Sequence, residues 1–122
     1  MKKKIYLACP YWHENPRMRE ARFVDVSRAA GMLMKLGYIV FSPISHSHPI
    51  SLHMGDKQDH DFWLEQDYAW LDNCDAVWVL ALDGWKDSFG VKEEVFRAIR
   101  KNKELKVITM SEVKGMVHDQ TL

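Results

Sequence analysis

The sequence predicts an α/β fold: a parallel sheet of four to five strands with helices on both faces. Two observations carry that prediction. Short runs such as Lys4–Cys9 and Asp75–Leu82 are apolar at nearly every position, as in strands buried on both sides. Between these runs lie stretches of helical period, bounded by cap and stop signals. Regular strand–helix alternation buries both faces of a sheet only when helices return each strand to run parallel to the last.

The elements follow in order. "KIYLAC" (Lys4–Cys9) is the first strand. Asn15 then Pro16 is an N-cap followed by a proline at the first helical position, and the helix Arg17–Leu36 runs to Gly37, a good stop residue. "YIVFSP" (Tyr38–Pro43) is the second strand. A polar, histidine-rich loop is expected over Ile44–His60, then a helix over Asp61–Asn73. "DAVWVLAL" (Asp75–Leu82) is the third strand, a helix starts near Gly90, and "KVITM" (Lys106–Met110) is the fourth strand. The tail Ser111–Leu122 carries no assignment. In a parallel sheet of this kind ligands bind beyond the carboxyl ends of the strands. Those ends lead into Tyr11-Trp12-His13, Ser45–His60 and Asp83–Gly90.

Composition narrows the function. The chain has 122 residues, the length of one domain (1–122), and is 47% hydrophobic, enough for a core. Its 17 basic residues balance 17 acidic ones, which argues against polymeric nucleic acid or a membrane surface as partner. The Lys2-Lys3-Lys4 start precedes too short an apolar run for a signal peptide or a membrane span. Cys9 and Cys74 form no metal-ligand pattern, in keeping with a reduced, cytoplasmic protein.

Two carboxylates stand out of place. In "SFGVKEEVFRAIR" the adjacent Glu93 and Glu94 are expected in the first turn of a helix, where free N–H groups and the dipole favour an anion. At about 100° per residue they face different ways. Glu93 shares a side with Arg97 and Arg100, an ion-paired solvated stripe. Glu94 lies beside the stripe Val91, Val95, Ala98 and Ile99, expected to be buried. An anionic, partly shielded carboxylate suits a nucleophile; two ordinary first-turn acids fit this stretch equally well. The helix "HDFWLEQDYAWLDNCD" changes the weighting. Asp61, Glu65 and Asp72 share a polar side, whereas Asp67 has Trp63, Leu64, Trp70 and Leu71 as its neighbours at three and four residues. Desolvation there should raise its pKa above about 3.9. The alternative is a structural acid hydrogen-bonded to an amide, Tyr or Trp. Paired carboxylates in unlike environments are the usual equipment for breaking a glycosidic bond.

These segments together resemble the nucleoside 2-deoxyribosyltransferase and 2′-deoxynucleoside 5′-phosphate N-hydrolase superfamily, and within it a small bacterial and phage branch. "IYLACP" resembles the family's opening strand, "EQDYAWLDNCDAVWVL" its aspartate-bearing helix and central strand, and "SFGVKEEVFRA" its Ser-x-Gly-x-x-x-Glu segment. The resemblance implies a flavodoxin-like three-layer sandwich and cleavage of the N-glycosidic bond of a nucleoside or nucleoside 5′-monophosphate, by hydrolysis or deoxyribosyl transfer. It implies Glu94 as nucleophile, Asp67 as proton donor and Tyr6 as the group orienting Glu94 or the sugar. The acid limb of the pH–rate profile would then report Glu94 and the alkaline limb Asp67. Ser88 would contact the 5′ side of the sugar, and the loops add Gly90, Asp83, Trp85, Tyr11, Trp12, Pro43 and His46 as substrate-binding candidates. Two departures bear on the substrate. The loop "CPYWHENPR" replaces the family's glycine- and arginine-bearing phosphate loop, leaving Arg17 and Arg19 as possible phosphate contacts. Phe96 stands where a glycine often follows the nucleophile by two positions.

No cofactor or metal is expected. His46 and His48 would point the same way in an extended loop, with His53 nearby, but no carboxylate or cysteine stands at diagnostic spacing. Trp63 and Trp70 read as core residues, while Tyr11, Trp12 and Trp85 are the aromatics placed to stack a base. The resemblance and the loop aromatics imply a homodimer or higher homo-oligomer, with the 111–122 tail as candidate contact. The alternatives are an NAD glycohydrolase of the Toll/interleukin-receptor type or a non-catalytic nucleotide-binding module of the same fold. A receiver-like signalling module lacks support, because the first strand ends without the acids that hold magnesium.

Overall fold

The computed structural model describes residues 2–121, the side chains of Gln120 and Thr121 excepted. Four strands, β1 (Lys4–Ala8), β2 (Ile39–Phe41), β3 (Ala76–Leu80) and β4 (Glu104–Ile108), form one parallel sheet in the order β2-β1-β3-β4. Tyr6 at the centre of β1 stands in register with Phe41 on one side and Val77 on the other. This is the flavodoxin-like three-layer arrangement, at the lower of the expected strand numbers.

Alternation along the strands makes two cores. Ile5, Leu7 and Cys9 point to one face with Ala76, Trp78 and Leu80, against Val26, Ala29 and Leu33 of α1 (Pro16–Lys35) and Val113 of α5 (Met110–Thr121). Tyr6 and Ala8 point to the other with Val77 and Val79. Here they meet Leu71 of α3 (His60–Leu71), Cys74, and Val91 and Ala98 of α4 (Phe89–Arg100). Both cysteines are free and buried. Asn15 caps α1 through its side chain, which accepts from the Arg17 amide, with Pro16 behind it, and the chain leaves the helix through Gly37 at φ 105°.

Two expectations are corrected, and a stretch left without assignment gains a structure. The segment read as a loop after the second strand holds a helix, α2 (Pro43–Ser51). Ser42 caps it by accepting from the Ser45 amide, and Pro43 takes the first helical position. Pro49 forfeits one helix bond, which the chain tolerates because the helix ends two residues later. The unassigned tail is helical from Met110, and Val113 buries it against the sheet face that α1 covers; Leu122 lies outside the described residues. Ile99, placed on the buried stripe of α4, is 61% exposed, and Val95 is only half-buried. The sheet contacts a narrower arc of α4, centred on Val91, Glu94 and Ala98.

This arc sets a stability contrast. Leu71→Ala, which empties a fully buried site, should cost about 2–5 kcal/mol. Ile99→Ala should stay within roughly 0.5 kcal/mol of the parent. Urea unfolding of the two variants measures both.

Candidate functional site

Glu94 is the carboxylate that lies inside. Only 5% exposed, it accepts a hydrogen bond from the hydroxyl of Tyr6, itself fully buried. The reason is local. Ser88 caps α4 by accepting from the Val91 amide at 3.3 Å, so the helix starts at Phe89 and Glu94 falls between Val91 and Ala98 on the arc that touches the sheet. Glu93, one residue earlier, is half-buried. It is not the partner of Arg97, whose guanidinium grips both oxygens of Asp72 at 2.9 and 2.6 Å and lies over the Tyr68 ring. The solvated stripe expected on α4 is thus a tie from α4 to the end of α3.

The expected dipole support for Glu94 is absent. With the helix starting at Phe89, the first turn holds no acid and Glu94 sits in the second. Burial therefore dominates. It pushes the Glu94 carboxyl up to about 8, with the nearby Asp67 charge adding to the rise and the Tyr6 hydroxyl opposing it. Asp67 is raised to about 7 by desolvation alone, as the sequence predicts in direction. The charges of Glu94 and Asp67, after burial, raise the Tyr6 phenol well above its ordinary value. The three groups thus share one electrostatic neighbourhood, on the face of the sheet that α3 and α4 cover. Asp67 and Glu94 titrate close together, so the two limbs of a pH profile belong to the pair and not to one residue each.

The surrounding aromatic groups differ from expectation. Trp70, placed in the core, is 48% exposed and stacks on Phe41 at 4.7 Å between ring centroids and 15° between planes. Exposed His46 lies 5.6 Å from Phe41 and 6.2 Å from Trp70. His46 and His48 do not point the same way, because they lie on a helix and not on an extended segment. His48 is buried. Its Nε2 meets Glu20 at 2.7 Å and its Nδ1 meets the Tyr11 hydroxyl at 2.7 Å, with the Phe23 ring stacked at 4.4 Å.

The remaining candidates fall around the strand ends. Trp12 is exposed, with Lys57 Nζ 3.8 Å and Arg19 4.8 Å from its ring. Arg19 also donates to the His13 carbonyl, while Arg17 is exposed at the start of α1. Pro43 is buried at the head of α2, and Gly90 lies inside the first turn of α4. Asp83 is exposed, and Trp85 packs half-buried against the second core. A shallow cleft of about 200 Å³ runs between Trp85, Lys86 and the Val91–Phe96 side of α4; neither Glu94 nor Asp67 lines it. Arg22 went unnoticed in the sequence. It donates to the carbonyls of Tyr11 and Trp12 and, at 3.0 Å, of Asp83, tying the loop after β1 to the loop after β3. The left-handed turn at Gly84 runs so close that a Cβ there would lie 3.1 Å from the guanidinium. Helical periodicity carries no signal for such a clamp, whose partners are backbone carbonyls. Among the described residues no group of three or more His, Cys, Asp or Glu could hold a metal ion, and no helix is long and apolar enough to cross a membrane.

The carboxyl pair has a consequence for stability. Both groups keep their protons in the folded chain at pH values where the unfolded chain, with ordinary values of 3.8 and 4.5, has lost them. The folded state therefore binds more protons in that window, and stability falls as pH rises through 7 and 8. Asp72 and Glu104, held low first by hydrogen bonds from Arg97 and Lys3, act below this window. Thermal melts should thus drop between about pH 5 and 8.5. Glu94→Gln should flatten the decline and melt about 3 °C or more above the parent at the alkaline end.

With this geometry in place, comparisons with known proteins add the following. The model of a family described as a domain of unknown function, DUF1937, matches residues 3–112. No curated protein matches the sequence. Among solved structures, the chain is similar to the 2-deoxyribosyltransferase from the psychrotolerant bacterium Bacillus psychrosaccharolyticus, described as a biocatalyst for the synthesis of antiviral and antitumoral nucleosides. The identity is 22%, the likeness covers 87% of this chain and 72% of that one, and the TM-score is 0.61. The likeness establishes the fold, and both findings support the superfamily resemblance drawn from the sequence.

Proposed function

The chain belongs to the DUF1937 family, and on that premise we propose that it breaks the N-glycosidic bond of a nucleoside or nucleoside 5′-monophosphate. One observation carries the reading. A buried glutamate held by a buried tyrosine shares its neighbourhood with a second desolvated carboxyl. A merely structural acid has no use for a second, half-buried carboxyl that raises its pKa further. The deoxyribosyltransferase fold supports the choice of bond.

The chemistry follows from one proton on the pair. With that proton on Asp67, Glu94 is an anion whose charge is stabilised by the Tyr6 hydroxyl. A Glu94 oxygen attacks C1′ on the face opposite the base. The C1′–N bond breaks, its electron pair leaves with the base, and Asp67 supplies the proton the base takes up. The product is a glycosyl ester on Glu94. Water, or the nitrogen of a second base, then attacks C1′ with loss of its proton to the Asp67 carboxylate, and Glu94 is released with the anomeric configuration retained. Desolvation raises Glu94 further than Asp67, so this division depends on the Tyr6 hydroxyl, which opposes the rise at Glu94, while a raised Asp67 still holds a proton near neutral pH.

A panel of nucleosides, nucleoside monophosphates and NAD, followed for released base, tests the reading and separates it from NAD cleavage and from a binding module without turnover. Glu94→Gln should lower kcat by roughly 10³-fold or more while the fold is kept, and Glu93→Gln should retain most activity. Equal losses in the two variants would overturn the assignment of Glu94. Asp67→Asn should lose most of the rate and leave one limb where the coupled pair gives two, and an unchanged profile would remove Asp67 from the chemistry.

The ester itself is a further expected outcome. A 2-fluoro-arabinosyl nucleoside or nucleotide slows both steps by destabilising the oxocarbenium-like transition state. Intact mass spectrometry should show one added glycosyl group per chain, mapped to the peptide carrying Glu94. An adduct on any other carboxyl would refute the nucleophile named here.

A further inference from the structure

The open edge of the sheet is the surface that the chemistry of Glu94 and Asp67 leaves unused. The strand order β2-β1-β3-β4 puts β4 last. The Glu104 amide donates to the Asp75 carbonyl, and the Ile108 carbonyl accepts from the Ala81 amide. By the alternation of a strand, Glu104, Lys106 and Ile108 thus bond toward β3, while Leu105 and Val107 turn their N–H and C=O groups outward. Among the described residues no backbone group meets them from that side. Their side chains are open as well. Leu105 and Val107 stand in register with Val77 and Val79 and so point to the face that α4 covers, yet both are exposed. Arg97 ties one flank of α4 to α3 through Asp72. Ile99 lies on the opposite flank, toward β4, with Phe96 one turn before it, and both rank among the exposed large apolar side chains. Strand edge and helix flank together make one apolar strip, of the kind that a protein normally covers.

We propose that a second copy of the chain covers this strip, β4 pairing antiparallel with β4 of the copy about a two-fold axis at Leu105. Charge selects both the occupant and the register. Glu104 and Lys106 share the sheet face opposite Leu105, where Lys106 lies over the Trp78 ring at 4.7 Å and Glu104 accepts from the Trp78 indole. An axis at Leu105 sets Glu104 opposite the partner's Lys106, and Lys106 opposite the partner's Glu104. Those are two pairs of opposite charge, whereas an axis at Glu104 or at Lys106 sets like charges against each other. Lysines on an edge usually guard it against pairing, but this edge carries both signs in the order that its own copy matches. Glu104 also accepts from Lys3, and a carboxylate has room for a further donor. In this register Leu105 exchanges two backbone bonds with the partner's Leu105, since both turn their polar groups outward. On the α4 face the two Leu105 side chains meet on the axis, flanked by Val107, Ile99 and Phe96 of each copy. The two sheets become one of eight strands, and the self-complementary interface closes at two copies. The contact is then β4 with α4 and not the 111–122 tail, whose Val113 is already buried against the sheet. Unfolding of the isolated chain should still barely notice Ile99→Ala, because that side chain leaves solvent only on pairing.

Sedimentation velocity of the full chain tests the interface, with circular dichroism to confirm folding. The parent should sediment as a dimer at micromolar concentration. Glu104→Lys and Lys106→Glu each set like charges opposite one another in both symmetric pairs, and each should raise the dimer dissociation constant about tenfold or more. Mixed in equal amounts, the two variants should associate with each other at close to parental strength, because every cross-strand pair is again of opposite charge. Leu105→Lys, which brings two like charges together on the axis, should be monomeric. A monomeric parent overturns the interface, as does a dimer that all three substitutions leave intact. Two weakened variants that do not recover on mixing also overturn it, because the substitutions then act on each chain alone. If Leu105→Lys does not fold, the mixing experiment decides by itself. Association of this kind stands or falls independently of base release by Glu94.

Discussion

A carboxyl group placed in the middle of an apolar packing face has few ways to be accommodated, and the hydrogen bond from Tyr6 to Glu94 is the one this protein uses. It joins the central strand β1 to α4 across the second core. Val91 and Ala98 seat the helix on either side of Glu94, so the side chain cannot swing to water without lifting α4 from the sheet. Among the described residues no buried side-chain nitrogen or oxygen lacks a partner. The polar pair is thus built into the packing and not tolerated as a defect within it.

The same desolvation that makes the pair costly to bury underlies the chemistry proposed for it. A carboxylate left free in water holds its proton only at acid pH. Burial, with two acids near each other, keeps a proton on the pair at neutrality. Stability and the proposed reactivity are therefore coupled. The pH range in which one carboxyl can be an anion beside a protonated neighbour is the range in which the fold gives up part of the stabilisation that full protonation provides. Tyr6 mediates between the two demands, because its hydroxyl opposes the rise at Glu94 while its own burial keeps it neutral.

Around this centre the strand ends are made rigid by contacts to backbone. Arg22 reaches from α1 to three carbonyls in two loops, and His48 is gripped from both ring nitrogens between α1 and the loop after β1. With Nε2 against Glu20 and Nδ1 against the Tyr11 hydroxyl, the ring fixes the orientation of the phenol. Such ties hold loop geometry with few apolar contacts, and they leave Trp12, Asp83 and His46 exposed at the rim.

The sequence by itself determined the parallel α/β sandwich, because runs apolar at every position can be satisfied only with helices on both faces. It also distinguished Glu94 from Glu93 and marked Asp67, since helical phase alone separates neighbours onto different sides. Local signals differ in strength. Asn15-Pro16 and Ser42-Pro43 carry the same cap-and-proline signature, but the short polar segment behind the second, with Pro49 inside it, has little helical period of its own. Only the tertiary structure decided how wide an arc of α4 the sheet covers, which left Ile99 outside and put Glu94 at its centre. It alone decided that Arg97 belongs to Asp72, that Trp70 is open on one side, and that burial outweighs the helix dipole at Glu94. The physical reason is common to all four. Period and propensity are properties of one segment, whereas desolvation and partner choice depend on which other segment arrives opposite, and at what depth.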